Sequence, residues 1–251
     1  MLDKIQLSLE RTADELRNFL AKKLYTEEEV NEIIHKRKDF EYKISRENKK
    51  LTDYLRYLEF EIALEKETDM KRKHRHISSG LIEIKNTRRI ISIFKSALKF
   101  KYDERLLIQF IDYLEEKECI EEMKEYFATI CLLRFNDMDL WIFAGHKLFQ
   151  CKEIDAGRLL LQKGLRINST FEFYLEYFKI EFAHFQCLLN VSKEMGMEPC
   201  EFELEDGAIL IILFREIYKL FKENTNFDIF LNMISEYSLV KEKFCEIIEN
   251  N

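Results

Sequence analysis

The sequence predicts an all-α protein built from helical hairpins. Three observations carry that reading. The 251 residues include only 6 Gly and 1 Pro, too few for β-sandwiches or α/β sheets, which need a turn-former every ten residues or so. Apolar residues fall three, four and seven apart along much of the chain, the spacing of one helix face. An aromatic-rich pattern recurs at 33–34 residues between positions 90 and 180, a period typical of stacked two-helix repeats. At 47% hydrophobic and 35% charged residues, the chain has the composition of a folded protein rather than a disordered one.

The opening, MLDKIQLSLERTADEL, mixes both charge signs with Ile5, Leu9, Leu16, Phe19 and Leu20 at helical spacing. It reads as a helix over 1–20 rather than a signal peptide. Thr26 with Glu29 three residues on is a capping box, and the acidic first turn Glu27–Glu29 suits the helix dipole. That second helix is expected to run through Ser45, to break at Asn48–Lys50, and to give way to a third helix over Leu51–Lys66. Phe40, Ile44, Leu51, Tyr54, Leu55, Leu58 and Ile62 supply its apolar faces. Met70–Gly80 (MKRKHRHISSG) follows, with Lys71, Arg72, Lys73 and Arg75 interleaved with two His. It is expected as an exposed loop or frayed helix end, and both nucleic-acid contact and a plain solvated basic turn fit its composition.

From Arg88 the repeat begins. Phe94, Phe127 and Leu161 correspond, followed three residues later by Ala97, Ile130 and Gly164. The partner helix places Leu107, Trp141 and Tyr174 at the same interval, with Tyr174-x-x-Tyr177-x-x-Ile180-Glu181 matching the earlier Tyr54-x-x-Tyr57-x-x-Phe60-Glu61. One helix carries a large aromatic and the next carries a small residue, which lets the pair pack closely. Tyr54, Tyr57, Phe94, Ala97, Leu107, Phe127, Trp141, Gly164, Tyr174 and Tyr177 are the expected packing residues. Pro199, in the segment Met195–Glu205, is expected to interrupt the array before the last helices. The longest apolar run, Ala208–Phe214, is too short for a membrane span, which needs about 20 apolar residues. The organisation read from this is a helical region with a basic insertion at 1–80, repeats at 81–190, and C-terminal helices at 191–251.

Charge is uneven. Residues 1–105 hold 25 Lys+Arg against 20 Asp+Glu, and the remainder holds 15 against 27. A basic front suits a phosphate-bearing partner and an acidic back a basic protein segment, although solvated helix faces give the same counts. The six cysteines (119, 131, 151, 187, 200, 245) form no CxxC pair and have no His at zinc-ligand spacing. They read as reduced, small apolar side chains. His35, His74, His76, His146 and His184 are scattered, and there is no Gly-rich phosphate loop or nucleophile elbow. No catalytic residue, metal site or cofactor is expected.

The repeat resembles the half-a-tetratricopeptide (HAT) repeat of RNA-processing proteins, with Phe94-Lys95-Ser96-Ala97-Leu98 and Tyr177-Phe178-Lys179-Ile180-Glu181 as the best matches. Ala144-Gly145 departs from it where aromatics belong. The stretch Lys36-Arg37-x-Asp39-Phe40-Glu41-Tyr42-Lys43-Ile44-x-Arg46, followed by Tyr54-x-x-Tyr57-x-x-Phe60-Glu61, is similar to the N-terminal region of the U3 small nucleolar RNA-associated protein 6 family. The resemblance covers roughly residues 1–222, and the chain is shorter than is usual for that family. It implies a right-handed α-solenoid of HAT/TPR-like helical hairpins, acting as a non-catalytic scaffold of the small-subunit processome in the nucleolus. Implied partners are WD40 β-propeller subunits of the same subcomplex, the U3 snoRNP and pre-rRNA, with no membrane and no small-molecule substrate. The candidate partner or RNA contacts are Lys36, Arg37, Lys38, Arg46, Lys71, Arg72, Lys73 and Arg75. Phe40 and Tyr42 belong either to this surface or to the core. Two other classes fit the repeat: a HAT scaffold of pre-mRNA processing, and a helical-repeat subunit of a protein prenyltransferase.

Overall fold

A computed structural model of the chain describes residues 12–77, 81–195, 203, 205–223 and 227–249. The expected first turns of the opening helix (1–11), Ser78–Gly80, and the Pro199 segment with Cys200 lie outside the described residues. Among the described residues all regular structure is helical, in twelve α-helices. We number them α1 Ala13–Ala21, α2 Glu27–Ser45, α3 Leu51–His74, α4 Leu81–Phe100, α5 Glu104–Glu116, α6 Ile120–Leu133, α7 Met138–Gln150, α8 Ile154–Ile167, α9 Phe171–Glu194, α10 Ala208–Phe221, α11 Asp228–Met233 and α12 Ser238–Glu249. Helices adjacent in sequence pack in pairs, the arrangement of an all-α helical repeat protein. The chain divides into two compact units, Met1–Cys119 and Ile120–Asn251. None of the described helices is long and apolar enough to cross a membrane.

In the first unit α1 to α3 close over Leu16, Phe19, Tyr25, Val30, Ile33 and Leu64. Thr26 forms the capping box: its Oγ1 accepts from Glu29 N at 3.2 Å, and Glu29 Oε2 accepts from Thr26 N at 2.7 Å. The break at Asn48–Lys50 is where the sequence places it. α3, however, runs eight residues past Lys66, to His74, so the basic run, expected as an exposed loop or frayed helix end, is helical through that point. The reason is a set of anchors on its C-terminal half. The Thr68 and Tyr25 hydroxyls share a 2.9 Å hydrogen bond in the core, and Lys71 bridges Glu67 and Glu29. Arg72 is buried with Asp69 at 3.3 Å.

The repeats occur as hairpins within each unit: α4–α5 in the first, α6–α7 and α8–α9 in the second. Their second helices begin on Asp103, Asp137 and Thr170, whose side chains accept from Leu106 N, Leu140 N and Phe173 N. These caps recur at the repeat period, four residues ahead of Leu107, Trp141 and Tyr174, and fix where each aromatic face starts. All ten residues expected to pack the repeats are buried. Phe94 stacks on Phe110 at 5.1 Å between ring centroids. A Cβ on Gly164 would lie 2.7 Å from Phe173 Cζ and 3.1 Å from the Trp141 ring, so α8 sits against α7 and α9 at glycine distance. Gly145, the departure from the aromatic pattern, has the same cause: a Cβ there would lie 2.5 Å from Leu161 Cγ.

Four helices stop without glycine. Lys23, His76, Glu118 and Lys152 each adopt a left-handed backbone, with φ between 54 and 65°. In each case the next residue's N–H reaches back five residues: Leu24 to Phe19, Ile77 to Arg72, Cys119 to Leu114 and Glu153 to Leu148. These are Schellman stops, where glycine is the usual occupant. The last helices of the second unit gather an aromatic core of Phe178, Phe214, Phe230 and Phe244, with Phe214 and Phe244 stacked at 3.9 Å. Glu203, buried, accepts from Leu239 N and Val240 N and so holds the start of α12.

Candidate partner-binding surface

The stretch 36–61 folds as a hairpin, and its charged residues part company. Arg37 on α2 is 1% exposed. Its Nε and Nη2 donate to the two carboxylate oxygens of Glu61 on α3, at 2.8 and 2.9 Å. Nη2 and Nη1 also donate to Glu15 on α1, at 3.0 and 3.4 Å. Arg89 on α4 closes the ring by donating to Glu15 Oε2 at 2.6 Å. Two arginines and two glutamates from four helices thus form a buried, charge-balanced cluster. Burial works against the Arg37 charge, but the two glutamates outweigh it and hold the guanidinium above its ordinary pKa. Arg37 is therefore not a surface contact, contrary to the sequence expectation. Its guanidinium donors are directed at carboxylates inside the protein.

The second unit repeats the device. Arg158 on α8 donates through Nε and Nη2 to Glu181 on α9, at 2.7 and 2.9 Å. Glu61 and Glu181 stand seven residues after Tyr54 and Tyr174, and the arginines stand three before Phe40 and Leu161. The intervening repeats carry Ile91 with Leu114, and Lys124 with Leu148, at those positions. This pairing escaped the apolar-period reading, which does not score charges. The recurring Glu at the end of the double-Tyr pattern was its available signal.

Arg72 likewise leaves the surface set, for the reason given above. Lys71 is half committed: it contacts Glu67 and Glu29 and lies 3.7 Å from the Tyr25 ring centroid. Lys36, Lys38, Arg46, Lys73 and Arg75 are exposed. Lys36 rests 3.7 Å from Glu32. Phe40 is half-buried and stacked on Tyr57 at 5.1 Å, while Tyr42 is 53% exposed. So the first of the two aromatics is core and the second is surface.

These exposed cations do not form one patch. The hairpin is antiparallel: Lys71 near the end of α3 meets Glu29 at the start of α2, and Tyr57 near the start of α3 donates to Glu41. Arg46 lies seventeen residues after Glu29, roughly 25 Å along a helix. The basic run at 71–75 and Arg46 therefore sit at opposite ends of the pair, with Lys38 between them.

Between α3 and α5 the same unit has an open groove of about 650 Å³, floored by Ile62, Phe94 and Tyr113 and edged by Lys66, Lys73 and Asp112. At its base buried Glu65 accepts from Tyr113 and Thr87 and pairs with Lys117 at 3.0 Å. Burial alone would lower the Lys117 pKa, but Glu65 outweighs it and raises it. Among the described residues no group of His, Cys, Asp and Glu is placed to hold a metal ion.

Comparison with known proteins agrees with the part of the chain where this cluster lies. Residues 9–96 match the model of the family described as U3 small nucleolar RNA-associated protein 6. The protein of that name from Schizosaccharomyces pombe is 28% identical over 191 residues, covering 73% of this chain and 39% of that protein. The human homolog is 26% identical over 211 residues, covering 82% of this chain and 35% of its own length. The mouse homolog is 26% identical over 227 residues, covering 87% and 38%. The chain thus spans about two fifths or less of the length of these relatives. The family resemblance read from residues 36–61 is that of the U3 small nucleolar RNA-associated protein 6, by a family-model match over 9–96 and by 25–28% identity to curated relatives across most of this chain.

Proposed function

We propose that the chain is a non-catalytic scaffold of the small-subunit processome, in the nucleolus. It holds protein partners and associates with the U3 snoRNP and pre-rRNA during early maturation of small-subunit rRNA. The single observation that carries this reading is the family match over residues 9–96. It falls on the helices that build the buried Arg37–Glu61 cluster. Paired helices with broad exposed faces suit partner binding, since such repeats offer extended surfaces rather than enclosed pockets. In this reading Lys36, Lys38, Arg46, Lys73 and Arg75 meet partners, and WD40 β-propeller subunits are the expected proteins. Arg37, Arg72 and, in part, Lys71 serve the fold instead.

The test is affinity purification of the tagged chain from its own cells, with mass spectrometry of what accompanies it. Propeller proteins of the processome support the reading. Recovery of splicing or 3′-end factors in their place, or of a single zinc-bearing enzyme subunit, overturns it.

A further inference from the structure

One end of the first unit combines exposed aromatic rings with lysine and arginine in a way the fold does not require. Lys38 and Tyr42 stand four residues apart on one face of α2, and Arg46 follows as the extended residue that ends the helix. All three are exposed, and the Arg46 guanidinium lies 5.6 Å from the Tyr42 ring centroid. The Tyr42 ring is 53% exposed, and its neighbours Phe40 and Glu41 make the contacts to Tyr57. At the same end α4 stops on Phe100, which is 41% exposed, stacks on Tyr54 at 5.6 Å, and has Lys49 5.5 Å from its centroid. Lys50, Lys99 and Lys101 are exposed beside it. The nearby acids are Asp39, Glu41, Glu47, Asp53, Asp103 and Glu104, and Glu41 accepts from the Tyr57 hydroxyl. Asp53 and Asp103 are engaged with the backbone N–H groups of Lys50 and Leu106.

We propose that this end is a docking surface for single-stranded RNA. Arg46, Lys49 and their neighbours would meet phosphates, and the Tyr42–Arg46 pair would stack on unpaired bases. Single strands are bound by basic tracks interleaved with aromatic or guanidinium platforms, since every base has a π-face to stack. A paired duplex hides its bases and would leave Tyr42 unused. An acidic peptide would use the cations and have no use for the rings. The inference rests on the processome reading for its biological setting, but its chemistry stands on this surface alone.

The experiment titrates a labelled, unstructured oligouridylate with the full chain by fluorescence anisotropy at several salt concentrations. Each variant is first checked for helicity by circular dichroism. Arg46→Glu/Lys49→Glu is expected to weaken binding by about tenfold or more and to reduce the salt slope by about 1.4, at about 0.7 per phosphate contact on a single strand. Tyr42→Ala is expected to weaken binding by about tenfold with the slope unchanged. Lys73→Glu/Arg75→Glu, at the other end of the α2–α3 pair, should leave binding within about twofold. The proposal is overturned by absence of binding, by equal losses from both charge-reversal pairs, by equal affinity for duplex RNA, or by equally effective displacement with oligoglutamate. Loss of processome proteins from the purification with this titration intact would remove the setting and leave the site. The converse result would remove the site and leave the scaffold reading.

Discussion

Arg37 grips Glu61 through both carboxylate oxygens, at 2.8 and 2.9 Å, with each side chain at most 2% exposed. A buried pair of this kind contributes little net stability against an apolar replacement, but removing one partner strands the other charge. Arg37→Ala should therefore cost about 3–5 kcal/mol in urea unfolding of the first unit. Arg158→Ala, whose arginine is 23% exposed, should cost less, about 1–3 kcal/mol. Lys38→Ala, at an exposed position, should stay within about 0.5 kcal/mol. A cost below about 1 kcal/mol for Arg37→Ala would show that the four-helix cluster does not form.

Much of this fold can be read from the chain. The repeat period, the Thr26 capping box, the break at Asn48–Lys50 and the burial of Trp141 follow from local chemistry, because each depends on neighbours three to four residues away or on strict recurrence. Arg37 and Arg72 are harder. Their charges are buried by carboxylates and packing supplied from other helices, and Glu15 and Glu61 lie 22 and 24 residues from Arg37 in opposite directions. Composition alone makes KRK look like surface. The end of α3 is hidden for a related reason, since Tyr25 and Glu29 hold it from the preceding hairpin arm.

The seam between repeats gives a second prediction. Trp141 is fully buried, its Nε1 donates to Phe135 O at 3.0 Å, and its ring packs on Gly164. Trp141→Ala should destabilise the second unit by about 3–5 kcal/mol. Gly164→Ala should cost about 1–3 kcal/mol, because ring atoms of Phe173 and Trp141 occupy the space of the new methyl. Denaturant midpoints measure both. A neutral Gly164→Ala would contradict the packing described.

The glycine-free helix stops predict stabilising changes. Lys152, at φ 65°, carries a side chain in a backbone region that costs roughly 1–2 kcal/mol for a non-glycine residue. Glycine there regains that but loses about 0.5–1 kcal/mol to unfolded-chain freedom. Lys152→Gly should raise the melting temperature by a few degrees, a net gain of up to about 1 kcal/mol. A fall in melting temperature would contradict the left-handed assignment.

Alkali should unfold the protein through its buried tyrosines. Burial raises Tyr25 from 10.0 to about 12, and raises Tyr57, Tyr113 and Tyr177 further in the same direction. A raised folded-state value means the folded chain holds the proton longer than the unfolded one. The associated stability is fully present below about pH 10 and is lost as pH rises through the folded values. Tyrosinate absorbance should then appear together with loss of helical circular dichroism. Free titration of these four hydroxyls near pH 10 in a still-helical protein would contradict their burial.

The scaffold proposal meets its most direct test in the RNA that accompanies the tagged chain from its own cells. Sequencing that RNA should recover U3 small nucleolar RNA with pre-rRNA spacer, enriched over spliceosomal small nuclear RNAs. Equal or greater recovery of the spliceosomal RNAs, or of no RNA above background, would contradict it.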